Sequence, residues 1–151
     1  MVRRLDTTQP LVPLLLRIGV GLTFLFAGLS KVLGGTAGVA GFFGSLGVPF
    51  PQLMAPFVSY LELFGGLAIL LGLFTRPVAL LLAGDMLVAI LLVGIPGVLE
   101  APSLPQGWTN VRTELLLFLG CLALALGGPG RVAADALLWG RRTRDGSPSV
   151  A

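Results

Sequence analysis

The sequence predicts an all-α integral membrane protein: a four-helix transmembrane bundle with both the N and C termini in the cytoplasm. Three observations predict it. Of the 151 residues, 55% are hydrophobic and 11% are charged, against roughly 25% charged in ordinary soluble domains. Mean hydropathy is +0.95. Four apolar runs approach the ~20 residues that cross ~30 Å of hydrocarbon. Seventeen charged side chains cannot wet the surface of a soluble chain this long. That excludes a cytosolic globular protein and a disordered chain. The net charge of +3 comes from few charges rather than from a basic face, so no nucleic acid partner is expected. Length gives one domain, 1–151.

The first run covers residues 11–32, opened by Pro10 and Pro13 and followed by Gly34 and Gly35. Arg3 and Arg4 ahead of it resemble a signal peptide, but Arg17 interrupts the run, the run is too long, and no clear cleavage site follows. It is expected to remain as an uncleaved helix. The second run, 53–73, follows Pro49 and Pro51. The third, 77–95, enters through Thr75-Arg76-Pro77 and carries Asp85. Its six Leu, three Val and two Ile favour insertion by roughly 3–6 kcal/mol, against about 3 kcal/mol for a central Asp. Pro96, Pro102 and Pro105 are expected in the loop that follows. The fourth run, 111–127, starts near Glu114 and closes at Gly127-Gly128-Pro129-Gly130. None of the runs alternates like a strand, and backbone in lipid must satisfy its own hydrogen bonds, so each reads as a helix.

Two further segments are expected at the membrane interface. Val39 to Leu46 forms a short, loose helix with Phe42 and Phe43 among glycines. The tail 131–144 sets Leu137, Leu138 and Trp139 beside four arginines, which suits a helix on anionic headgroups. Trp108 fits the outer aromatic belt and Arg112 an interface anchor. Arg3, Arg4, Arg76, Arg131, Arg141, Arg142 and Arg144 share one side of a four-span chain, against Lys31 and Arg112 on the other. The positive-inside rule then puts both termini in the cytoplasm.

Every span carries an ionisable residue: Arg17, Glu62, Asp85 and Glu114, with Lys31 at the outer end of the first. Such residues are costly in hydrocarbon and mark functional sites by default. Arg17, Gly21, Phe24, Gly28 and Lys31 fall on one stripe of the first helix. Ser59, Glu62, Gly65, Gly66 and Ile69 share a face of the second. Small residues mark packing interfaces between membrane helices, so these charges point into the bundle. Arg17 is expected to reach Glu62 or Asp85, and Lys31 to pair with Glu114. Two readings stay open: structural ion pairs that fix helix register, or a proton-handling site with one acid left over. Cys121 reads as a packing residue. The absence of His and the single Cys leave no ligand set for a metal and no disulfide within the chain.

The run Arg17-Ile-Gly-Val-Gly-Leu-Thr-Phe-Leu-Phe-Ala-Gly28-Leu-Ser-Lys31 resembles the opening of the DoxX family. So do Leu46-Gly47-Val48-Pro49, Glu62-Leu-Phe-Gly65-Gly66, and Leu71-Gly72-Leu73-Phe74-Thr75-Arg76. Glu114 opening the last span, then Gly128-Pro129-Gly130-Arg131 with Asp135, completes the pattern. The resemblance covers about residues 11 to 138 and implies a four-helix protein of the bacterial plasma (inner) membrane. It also implies a link to quinone-dependent oxidoreductase systems, such as thiosulfate:quinone oxidoreductase, and to oxidative-stress complexes. Arg17, Lys31, Glu62, Arg76 and Glu114 match the family's polar positions; Asp85 departs from them.

The leading expectation is a non-metal subunit of a quinone-linked membrane oxidoreductase. Arg17, Glu62 and Asp85 are the candidate catalytic residues, and Lys31, Arg76 and Glu114 the candidate ligand-binding residues. Quinone or quinol is the expected diffusible cofactor, with none bound covalently; the bilayer and other protein subunits are the expected partners. The alternatives are a non-enzymatic scaffold that docks soluble enzymes and, third, a small transporter.

Overall fold

A computed structural model of the chain describes residues 11–128 and Gly130; the tail reading for 131–144 lies outside the described residues. The described elements are α1 (Leu11–Leu33), α2 (Thr36–Ser45), α3 (Pro51–Leu71), α4 (Thr75–Ala89), a π-helical segment (Ile90–Gly94), α5 (Ile95–Leu99) and α6 (Leu104–Gly127). Helix α4, the π-helical segment and α5 run on as one span, Thr75–Leu99. With α1, α3 and α6 this makes four helices long and apolar enough to cross a membrane, and no strand occurs among the described residues.

The bundle wears its apolar side chains outward. Phe26 (63% exposed), Phe64 (61%) and Leu80 (58%) stand on the outside, while Arg17 and Glu62 are each 3% exposed. This inverts the soluble pattern and suits a hydrocarbon solvent, where association rests on packing rather than on apolar burial. Val20, Phe24, Ile69, Leu82, Met86, Cys121 and Leu124 form the interior cluster.

Glycines set the closest approach. A Cβ on Gly28 would meet the backbone of Leu63, and one on Gly66 would meet the backbone of Leu25. Helices α1 and α3 therefore touch backbone to backbone, antiparallel, along the small-residue stripe read from the sequence. All five residues predicted to share the inner face of α3 are buried. On the other side of the bundle, Gly94 receives Val111 from α6 and Gly97 receives Asn110. The Asn110 amide donates to the Gly97 carbonyl at 2.8 Å.

Two expectations about prolines are corrected. Pro96 lies inside the third span rather than in a loop. Its ring would collide with the carbonyl one turn back. The π-helical turn widens the backbone there, and the Ile95 amide bonds back to the Ile90 carbonyl. Pro105 sits in the first turn of α6, where a missing N–H leaves no bond unmade. The fourth helix therefore begins seven residues before the expected start. A short helix does occupy the segment expected at Val39 to Leu46, as α2 from Thr36 to Ser45, and it packs mainly on α3.

Candidate functional site

The charged residues of the spans separate into two groups along the bundle. The first is at the end where α3 stops. Gly72, at φ 71°, closes α3 in the left-handed conformation. The Gly72 amide bonds to the Ile69 carbonyl at 3.1 Å and the Leu73 amide to the Ala68 carbonyl at 2.9 Å. That is the Schellman pattern, and it leaves the Leu70 carbonyl over. Arg17 takes it: Nη2 donates to the Leu70 carbonyl at 2.7 Å, and Nε to the Ile69 carbonyl at 2.9 Å. The guanidinium sits on the negative end of the helix dipole.

The expectation that Arg17 reaches Glu62 or Asp85 is thus replaced by a bond to backbone. The cause is side-chain direction. Helix side chains lean toward their own N-terminus, so Arg17 points away from mid-span and toward the last turn of α3. Arg76 lies at the same end, its guanidinium beside Gly128, and does not line the cavity described next.

The second group surrounds a cavity of about 860 Å³ walled by all four spans and α2. Lys31, Glu62, Asp85 and Glu114 all line it, among otherwise mainly apolar residues. Lys31 Nζ donates to Glu62 Oε2 at 2.5 Å. Glu62 is nearly sealed (4% side-chain exposure), whereas Lys31 keeps 31%. The same directional rule explains the pair. Lys31, near the C-terminal end of α1, leans back into the bundle, and Glu62 on antiparallel α3 leans up to meet it. The Gly28–Leu63 backbone contact fixes the register one turn away. Lys31 therefore pairs with Glu62 rather than with Glu114, as the sequence had suggested. Glu114 is half-buried on the cavity wall, without an ion pair among the described residues.

Asp85 was the residue whose direction the sequence left open. It faces the cavity, close enough to Glu62 and Lys31 to interact with both electrostatically. Its Oδ2 is buried without a hydrogen-bond partner among the described residues. Thr23 and Thr113 also line the cavity and were missed in the sequence. Their signal was a hydroxyl inside a span, but threonines in membrane helices commonly bond their own backbone, as Thr23 does to the Gly19 carbonyl at 2.8 Å. No group of three or more potential metal ligands occurs among the described residues.

The comparisons with known proteins agree with this architecture. The chain is 37% identical over 126 residues to the Bacillus subtilis protein named "Putative oxidoreductase CatD", covering 83% of this chain and 86% of that one. It is 35% identical over 127 residues to the Escherichia coli inner membrane protein YqjF (83% and 90%). It is 32% identical over 150 residues to the uncharacterized membrane protein Rv3486 of Mycobacterium tuberculosis (96% and 92%). No solved structure matches. Four apolar spans and relatives named as inner membrane proteins make this a multi-pass bacterial membrane protein. The DoxX family model matches residues 12–95, which hold the α1–α3 seam, the Lys31–Glu62 pair and Asp85, and the chain belongs to the DoxX family.

Proposed function

We propose that the chain is a quinone-binding subunit of a membrane oxidoreductase or oxidative-stress complex, with no redox metal of its own. The observation that carries this reading is the single cavity in which Lys31, Glu62, Asp85 and Glu114 meet an otherwise mainly apolar wall. Ligand sites commonly combine apolar walls with a few placed polar groups.

The donor set fits a quinone head group. Lys31 Nζ has donor capacity beyond its bond to Glu62, and it is positioned to bond a ring carbonyl. Asp85 Oδ2, buried without a hydrogen-bond partner among the described residues, is an acceptor for a quinol hydroxyl. Glu62 holds the ammonium in place and offers a second carboxyl for the same proton. The bound quinone would supply reversible electron and proton uptake. The apolar walls keep bulk water from the carboxyls. A relative named as an oxidoreductase supports the reading. Arg17 and Arg76, at the other end of the bundle, have no part in head-group binding under this reading.

The test is to purify the protein in mild detergent and analyse lipid quinone in the eluate. Quinone is expected with the unaltered protein. Lys31→Met is expected to lower its recovery about tenfold, the value of one charge-assisted hydrogen bond of ~1.5 kcal/mol. Glu62→Gln is expected to lower quinone-linked turnover while the protein still accumulates in the membrane. Eluates free of quinone from a protein that still captures soluble enzymes would favour the scaffold reading instead.

The same reading puts both termini in the cytoplasm, on the distribution of Lys and Arg. A reporter fused at either terminus is expected to report cytoplasm, and a periplasmic C-terminus would contradict it.

A further inference from the structure

The cavity does not end at its polar wall. On the outer surface of α3 and α4 lies a second apolar hollow of about 550 Å³, and Phe57, Leu61 and Leu81 line both. The two lie side by side along the α3–α4 seam, with these three side chains between them. The hollow runs toward Ala68 on α3 and Val78 on α4. From Glu62 to Ala68 this is about 9 Å along the helix axis, at 1.5 Å per residue. Its outer wall on α3 is the ring pair Tyr60 and Phe64, stacked with centroids 5.9 Å apart. Phe57, Phe64 and Leu81 are all more than half exposed, so in a bilayer this seam faces acyl chains. Gly84, on the cavity side of α4, has nothing within 4 Å of where a Cβ would stand. Open space therefore lies on the cavity side of α4, close to Leu81.

We infer that the cavity is entered sideways from the bilayer between α3 and α4, and that its ligand is a single-tailed amphiphile. The polar head meets Lys31, Glu62 and Asp85, and the tail leaves past Leu81 to lie along Tyr60, Phe64 and Ala68. This rests on the quinone reading for the head and adds the route and the tail. The adjacency of the two hollows selects the occupant: displacing the three shared side chains joins a polar-ended cavity to an apolar groove. A tail anchored by its head in the cavity must cross the Phe57–Leu61–Leu81 junction, and the groove beyond continues its path. A ligand without a tail would have no use for the groove, and a water-soluble ligand would not approach from the lipid side.

The experiment uses a benzoquinone carrying a ten-carbon chain that ends in a photoreactive diazirine, with the whole protein in lipid nanodiscs. After illumination, adducts are mapped by mass spectrometry, with and without excess tail-less benzoquinone. The expected result is adducts on Tyr60, Phe64 and Ala68 that the tail-less compound suppresses. Val78→Trp, at a position that lines the outer hollow and not the head cavity, is expected to cut the adducts on Tyr60 and Phe64 at least tenfold while tail-less benzoquinone binds as before. Ala68→Phe, likewise confined to the outer hollow, is the second variant, with the same expectation. Suppressible adducts elsewhere, on α2 or between α1 and α6, would overturn the route and leave the head site standing. Adducts that tail-less benzoquinone does not suppress would overturn the head-group reading itself. A seam left unlabelled because a second copy of this chain covers it would also overturn the proposal.

Discussion

The two ends of the bundle treat buried charge in opposite ways. Where α3 stops, Arg17 donates to the Leu70 carbonyl that the helix end leaves over and to the Ile69 carbonyl beside it, and is itself buried. At the other end, Lys31 and Glu62 satisfy each other, yet they do so on the wall of a cavity of about 860 Å³, beside an Asp85 oxygen without a hydrogen-bond partner among the described residues. A charge that completes a helix end is structural. A charge pair set beside a buried carboxyl oxygen and open space is the arrangement on which the proposed ligand site rests. The difference teaches that intramembrane charge is not one category: what the charge touches decides its role.

The largest expected effect comes from the seam that holds both ends in register. Gly28→Leu places a side chain against the backbone of Leu63. Overpacking of this kind typically costs about 1–3 kcal/mol, and here the neighbouring atom is backbone that cannot swing aside. The folded fraction in a denaturing-detergent titration is expected to fall by the upper part of that range, and quinone recovery with it. Normal stability for Gly28→Leu would show that α1 and α3 do not pack as described.

Arg17→Met should separate the ends. It leaves the Leu70 carbonyl without its guanidinium donor in a buried place, which costs about 1–3 kcal/mol. The same titration should register that loss, while quinone recovered per folded molecule stays unchanged. A drop in quinone recovery without a loss of stability would move Arg17 into the binding site and erase the contrast drawn here. The smallest effect is expected from Glu114→Gln. Its carboxyl has no ion pair among the described residues, so the stability change should stay within about 0.5 kcal/mol. A loss several times larger would reveal a partner for Glu114 and make the cavity end as structural as the other.

Much of this was readable in the chain. The inner face of α3 was legible because Ser59, Glu62, Gly65, Gly66 and Ile69 repeat at helical spacing, and a membrane helix turns its small and polar residues inward. The stop at Gly72 was not read, since the second run was carried to residue 73; Gly72 supplies the left-handed residue that closes α3 at Leu71. Pro96 was misread because proline breaks helices locally, whereas here a π-helical turn accommodates it within the span. Glu114 was paired with Lys31 on depth alone. Depth says how far along the membrane a charge sits and nothing about which helix stands opposite.

The sequence by itself determined the solvent, the number of spans and which helix faces turn inward, because apolar length and periodicity act locally along the chain. Only the tertiary structure decided which charges meet, that Asp85 joins Glu62 and Lys31, and that a groove between α3 and α4 lies beside the cavity. Those depend on how near each pair of helices comes and on which way each side chain leans from its own N-terminus. Both are set by contacts between segments far apart in the chain, such as Gly28 on Leu63 and Gly66 on Leu25.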